Sequence, residues 1–174
     1  GCLLIESSGP LTTLQDAGRP GWRRIGLSAA GPLDPLALAV ANALVGNPLA
    51  SVAIELLVYG ARLRALGGAV RLALAGADFP MTVDGAAIDG HTSFLLADGA
   101  QLAIGPARAG VSAILAVEGG LDVETALGSA ALHVRAEVGG IDGRPLRAGD
   151  RILLRKVATP RHERTCEPID LGLS

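Results

Sequence analysis

SVAIELLVYGARLRALGGAVRLALAGADFPMTVDG, residues 51–85, decides the fold class. Apolar runs of strand length are cut at short intervals by Gly, Asp and Pro, which punctuate strands rather than helices. In Ala61-Arg62-Leu63-Arg64-Ala65-Leu66 the arginines alternate with apolar residues, the pattern of a strand with one buried face. The same rhythm continues through SFLLADG (93–99), QLAIG (101–105) and VSAILAVEGG (111–120), and CLLIE (2–6) reads as an opening strand. Asp84-Gly85 and Asp98-Gly99 have the composition of hairpin turns. DGRPLRAGDRILL, residues 142–154, reads as a turn feeding a last strand.

Working outward, one helix stands before the strands. Asp34 suits an N-cap, Pro35 suits the first helical position, and Gly46 with Pro48 supplies the stop. Leu36, Val40, Ala43 and Leu44 share a face at helical spacing and are expected in the core. The pattern predicts a mainly β protein, a barrel or sandwich, with one short helix near the N-terminus. Residues 157–174 lose the alternation and read as a tail or linker stub after a single domain over 1–156.

Composition narrows the function classes. At 17.5 kDa the chain can bury roughly 70% of its unfolded surface, enough for one core. With 2% aromatics, that core must be built from Ala, Val, Leu and Ile. A net charge of −2 argues against nucleic acid or an anionic membrane as a partner. No apolar run approaches the ~18 residues that span a bilayer, and residues 1–11 lack a signal-peptide pattern. Cys2 and Cys166 lie at opposite ends and read as cytosolic thiols, so a cytoplasmic protein is expected.

Several chemistries are disfavoured. Lys156 is the sole lysine and follows no Gly-rich phosphate loop, nor is it preceded by Met as in a biotin-attachment site. His91, His133 and His162 are scattered without zinc spacing, so no metal is expected. Gly26-Leu27-Ser28-Ala29-Ala30-Gly31 is one residue longer than a nucleophile elbow, which disfavours a serine hydrolase.

The polar residues that remain concentrate in TTLQDAGRPGWRRIGLSAAGPLD, residues 12–34, where turns hold side chains on a scaffold. Two readings of Gln15, Asp16 and Arg19 stay open. In one, Asp16 caps a turn, Gln15 bonds to backbone and Arg19 forms a surface ion pair. In the other, the Arg19 fork receives a carboxylate-bearing ligand oriented by Gln15 and Asp16. Glu55 interrupts an apolar strand and either faces water or pairs internally. Asp78 ends a strand and either caps a turn or contacts a ligand, with Gly76 permitting close approach.

TTLQDAGRPGW, GLSAAGPLDPLALAVANALVGNP, AIEL, LAGAD, AVEGGLDV, LGS and GIDGRPLRAGD occur here in the order of the allophanate hydrolase subunit 2, or KipA-like, family. This chain resembles the N-terminal half of that family, which includes the C subunit of 5-oxoprolinase and half of the carboxyltransferase domain of urea carboxylase. The resemblance implies a cyclophilin-like β-barrel. It also implies a hetero-oligomer with a KipI-like subunit (allophanate hydrolase subunit 1) that acts on allophanate, urea or 5-oxoproline by amide hydrolysis or carboxyl transfer. ATP or biotin would sit on partner subunits, one of them biotin-carrying or ATP-using, with no cofactor on this chain.

The family's motif positions carried over are Gln15, Asp16, Gly18, Arg19, Gly21, Gly26, Gly31, Asp34, Asn42, Gly46, Asn47, Glu55, Gly76 and Asp78. Of these, Gln15, Asp16, Arg19, Asp34, Asn47, Glu55 and Asp78, together with Ser28, are the candidate substrate-binding residues; no catalytic residue is assigned. The chain departs from the pattern in length and at Ala130 and Ala131, where members often carry Arg-Ser, and at Ala30, where many carry Ser. Alanine cannot replace those hydrogen-bonding groups, which weighs against activity by this chain alone. A non-catalytic module that binds and regulates a KipI-like partner is the alternative function, and a separated half-domain with an apolar edge is the third reading.

Overall fold

The structure is a computed structural model that describes residues 1–155. In chain order the strands are β1 (Cys2–Ser8), β2 (Thr13–Gln15), β3 (Ala53–Leu57), β4 (Ala61–Leu66), β5 (Val70–Asp78) and β6 (Met81–Val83). They continue with β7 (Ala86–Ile88), β8 (Ser93–Leu96), β9 (Gln101–Ile104), β10 (Ala109–Val117), β11 (Leu121–Asp122) and β12 (Arg151–Leu154). One α-helix, α1 (Pro35–Leu44), lies between β2 and β3, as the caps predict. Asp34 Oδ1 accepts from Ala37 N at 2.9 Å, and Pro35 occupies the first turn where its missing N–H costs nothing.

The strands form two antiparallel sheets. One has the order β11-β12-β1-β4-β9-β6-β7 and the other β2-β3-β10-β5-β8. The closed barrel implied by the family resemblance is not what these ladders make. Each sheet keeps two edges among the described residues, at β11 and β7 and at β2 and β8. Strand switching explains this. Pro80 follows β5, and its carbonyl accepts from Gly105 N at 2.8 Å, so β6 pairs with β9 in the other sheet.

The two sheets enclose the main core. Leu3, Ile5, Leu63 and Leu102 of the first meet Leu14, Ile54, Leu72 and Leu115 of the second, with Phe79 and Phe94 supplying the aromatic volume. The outer face of the second sheet carries α1. There Ala53, Ala73, Ala75, Ile114 and Ala116 pack against Ala37, Leu38, Ala41, Leu44 and Val45. Small side chains on both faces let the helix lie close to the sheet. The expected helix face is therefore corrected: Leu44 is buried, but Leu36 is 66% exposed, Ala43 is exposed and Val40 is half-buried. α1 is apolar nearly all round, so spacing alone does not choose among its faces, and the alanine-rich surface of the sheet does.

The alternation in β4 holds, with Ala61, Leu63 and Ala65 buried and Arg62 exposed. Asp84-Gly85 makes a hairpin between β6 and β7, both residues having positive φ. Asp98-Gly99 turns the chain but joins no hairpin. Gly67 N donates to Asp98 Oδ1 at 2.9 Å and Gly99 N to Ala65 O at 2.8 Å, which seats the turn on β4 and sends β9 into the opposite sheet from β8. The tail reading for residues 157–174 lies outside the described residues.

Candidate functional site

The end of β2 is tied to a loop more than a hundred residues away. Asp16 Oδ1 accepts from Gly18 N at 2.8 Å and from Ser129 Oγ at 2.5 Å, while Oδ2 accepts from Ala130 N at 2.8 Å. Arg19 is 1% exposed, the bulkiest of the fully buried side chains. Its Nε donates to Ala126 O at 3.2 Å, and Nη2 donates to Ser129 O at 3.3 Å and to Ala131 O. Nη1 is buried without a hydrogen-bond partner. Gln15 Nε2 donates to Thr13 Oγ1 at 3.0 Å and to Leu132 O at 3.2 Å. Three side chains from one turn thus organise the backbone of residues 126–132.

Asp16 caps a turn and Gln15 bonds to backbone, as the first of the two readings held. Arg19 is neither in a surface ion pair nor open to solvent: its Nε and Nη2 are spent on carbonyls. Ala130 and Ala131 are fully buried and serve the clamp through their N–H and C=O groups. Ser129 is the member that sequence reasoning passed over, although it stands in the LGS motif. Gly139, at φ +81, also belongs, since a Cβ there would lie 2.6 Å from Arg19 Nη2.

Glu55 sits one strand over, opposite Thr13 in the β2–β3 ladder. It pairs internally: Oε1 accepts from Leu33 N at 2.7 Å and from Ser112 Oγ at 3.1 Å. Burial pushes its carboxyl above the ordinary value, the two donors pull it back, and the nearby Asp34 charge adds to the rise. A buried carboxyl poised closer to neutrality is equipped to hold or pass a proton. Gln15, Thr13, Glu55 and the Leu33–Asp34 corner therefore form one contiguous polar seam, beside α1. Ser28 is exposed on the loop that leads into this corner.

Two candidates lie elsewhere. Asn47, past the other end of α1, donates from Nδ2 to Val117 O at 2.7 Å and to Asn42 Oδ1 at 3.0 Å, and accepts from Gly119 N at 2.9 Å. Asp78 is exposed at the end of β5, its carbonyl accepting from Arg108 N at 2.8 Å, and it shares a cleft of about 180 Å³ with Leu74, Phe79 and His91. Gly76 admits Ala37 of the helix, whose Cβ would be 3.2 Å from a Cβ at that position. Among the described residues no group of three or more His, Cys, Asp or Glu is placed to hold a metal ion, and no helix is long and apolar enough to cross a membrane.

The sequence and this architecture match known proteins. A family model for the carboxyltransferase domain, subdomain A and B, matches residues 25–171. The C subunit of the Haemophilus influenzae 5-oxoprolinase is 35% identical over 159 residues, covering 91% of this chain and 51% of that protein. The urea amidolyase of Saccharomyces cerevisiae is 36% identical over 151 residues, covering 86% of this chain and 8% of the yeast protein. The crystal structure of TTHA0988 aligns with a TM-score of 0.88 at 36% identity, over 96% of this chain and 33% of that one. The K. lactis urea amidolyase aligns with a TM-score of 0.84 at 32% identity, over 88% of this chain and 9% of that one. The chain thus spans about half the length of the 5-oxoprolinase C subunit and a small share of the urea amidolyases. With the family match running over most of its length and the same fold in solved relatives, this chain belongs to the carboxyltransferase domain, subdomain A and B family.

Proposed function

We propose that this chain is one component of a cytoplasmic, ATP- or biotin-linked enzyme that works with a KipI-like subunit on a small amide. The substrate is allophanate, urea or 5-oxoproline, and the reaction is amide hydrolysis or carboxyl transfer. The observation that carries this reading is the 35% identity with the 5-oxoprolinase C subunit over 91% of the chain. The polar seam adds support, because the family-motif residues Gln15, Glu55 and Asp34 lie along it, with Asp16 next in the chain to Gln15. ATP and biotin belong to the partners in this reading. The sole lysine, Lys156, follows no phosphate-binding loop and has no biotin-site context.

The test is reconstitution. The chain is co-expressed with a KipI-like subunit and an ATP-using or biotin-carrying component, and turnover of 5-oxoproline, allophanate and urea is measured with and without it. Turnover of one of the three that depends on this chain is the expected result. A stable complex that turns over none of them would overturn the enzyme reading and leave a regulatory, partner-binding role.

A further inference from the structure

The turn between β3 and β4 is strained, and it holds the chain's one tyrosine out of the core. Tyr59 N donates to Leu57 O at 2.6 Å, so residues 57–59 form a γ-turn with Val58 at its centre, at φ +62°. That region is disfavoured for a β-branched residue, yet the fold fixes it from two sides. Val58 N donates to Val111 O and Val58 O accepts from Ala107 N, both at 2.8 Å. Strain of this kind clusters where a group is held for contact with a ligand or partner. The group held here is the Tyr59 ring, 57% exposed.

Tyr59 lines an open trough of about 620 Å³ between the end of β1, the start of β4 and the end of β9. Pro10 and Pro106 line it too, and the exposed Leu11, Val58 and Val111 continue the apolar surface beside them. The framing segments are packed tightly. A Cβ at Gly9 would lie 2.7 Å from Tyr59 Cβ, and one at Gly60 would lie 2.0 Å from Ile104 O. Arg62 is the charged residue of the lining, exposed and without an ion pair among the described residues. Glu6, next in the chain to the Ser7 that faces Arg62, is engaged instead by Arg64 Nε at 2.6 Å and by Gln101.

The backbone of these walls is closed to an added strand. The N–H groups of Gly9, Tyr59 and Gly105 donate to Gly60 O, Leu57 O and Pro80 O, and Pro10 and Pro106 have none to give. A peptide that docks here is held by ring packing rather than by a ladder. A polyproline II segment suits that surface: it needs no backbone ladder, is already extended, and packs its rings on aromatic side chains. The free Arg62 fork selects a carboxylate beside those rings. We propose that this trough docks a proline-rich, acidic segment of a partner protein, with Tyr59 packing on its prolines and Arg62 pairing with its carboxylate.

The experiment titrates the isotopically labelled full chain with an end-blocked peptide of repeating Pro-Pro-Glu, followed at the backbone amides of Gly9, Tyr59, Gly60 and Gly105. Two control peptides run beside it: Pro-Pro-Lys repeats, which reverse the charge, and Ala-Ala-Glu repeats, which remove the rings. Saturable shifts at these amides are expected with Pro-Pro-Glu. Binding of the lysine peptide is expected to be at least about fivefold weaker, and that of the alanine peptide about tenfold weaker. Tyr59→Ala should lose about tenfold in affinity, and Tyr59→Phe should recover most of it. Arg62→Met should erase the preference for glutamate over lysine. Both side chains are exposed, so the variants keep the amide dispersion of the native chain away from the trough. Absence of saturable shifts, equal binding of the three peptides, or unchanged affinity in Tyr59→Ala would each overturn the site, and an unchanged charge preference in Arg62→Met would overturn the carboxylate pairing. Concentration-dependent self-association that moves the same amides without peptide would make a second copy the occupant and overturn the proposal.

Discussion

The Ser129 hydroxyl donates to Asp16 Oδ1 at 2.5 Å, joining residues 113 positions apart. Ser129 Oγ also accepts from Ala131 N at 3.0 Å, so one hydroxyl both fills an acid's lone pair and satisfies a buried amide. Ser129→Ala strips both bonds and is expected to cost roughly 1–3 kcal/mol of folding stability, read from denaturant unfolding. Asp16→Asn should cost a comparable amount. Because the two share partners, the double variant is expected to be destabilised by less than the sum. Strict additivity would show that the pair does not act as a unit.

Arg19 makes a sharper case, since it separates a structural from a ligand-binding role. Its guanidinium satisfies three backbone carbonyls of residues 126–131 while almost wholly shielded from water. Arg19→Ala would leave those carbonyls unpaired and open a cavity, at a cost of about 3 kcal/mol or more. Arg19→Lys should recover only part of it, because an ammonium lacks the planar fork. The check is the unfolding midpoint of both variants. An Arg19→Ala protein of native stability would refute the clamp and return Arg19 to the role of a carboxylate receptor.

How much of this was legible in advance differs by residue. The strands and the capped helix follow from local rules: alternation at Ala61–Leu66, Asp34 before Pro35, Asp84-Gly85 at a hairpin. The side of α1 that packs was not legible, because Leu36 and Leu38 are equally apolar and the choice lies in alanines on strands distant in sequence. Asp16 was readable as a turn cap because one of its partners, Gly18 N, is two residues away, whereas the backbone partner of Gln15 is Leu132 O, which the fold alone supplies. Arg19 was not, because its three acceptors are backbone groups of a loop whose side chains say nothing about carbonyl direction. Ser129 stands inside a family motif, but its partner Asp16 belongs to a distant turn that only the fold brings beside it.

Glu55 predicts a pH dependence. Burial raises its carboxyl above the ordinary 4.5. Between that value and the raised one the folded protein holds a proton that the unfolded chain has released, so Glu55's share of stability falls as pH rises through that window. Glu55→Gln retains an oxygen to accept from Leu33 N and Ser112 Oγ but has no proton to lose. The variant should equal or exceed the native chain in melting temperature at neutral pH, and its advantage should shrink as pH falls through that window to 4.5 and stay level below it. Melting curves across that pH range test it. A constant difference between the two proteins would mean that Glu55 is not the titrating group.

Gly76 offers a comparison in which strain and packing separate. Its φ is +113°, and a Cβ there would lie 2.6 Å from Ser112 O, 3.0 Å from Ala113 Cα and 3.2 Å from Ala37 Cβ. Gly85 in the β6–β7 turn has φ +86° but nothing within 4 Å of the same added atom. Alanine at Gly85 therefore meets backbone strain alone, about 1–3 kcal/mol. Alanine at Gly76 meets strain and also pushes against both β10 and the helix, which adds roughly 1–3 kcal/mol for overpacking. Gly76→Ala should unfold at clearly lower denaturant than Gly85→Ala, with amide shifts at Ala37 and Ser112 that the second variant lacks. Because Ser112 Oγ donates to Glu55 Oε1, the first variant should also alter the pH dependence of stability, and the second should leave it unchanged. Equal losses with no change at Ala37 would show that the helix does not rest on the sheet at Gly76.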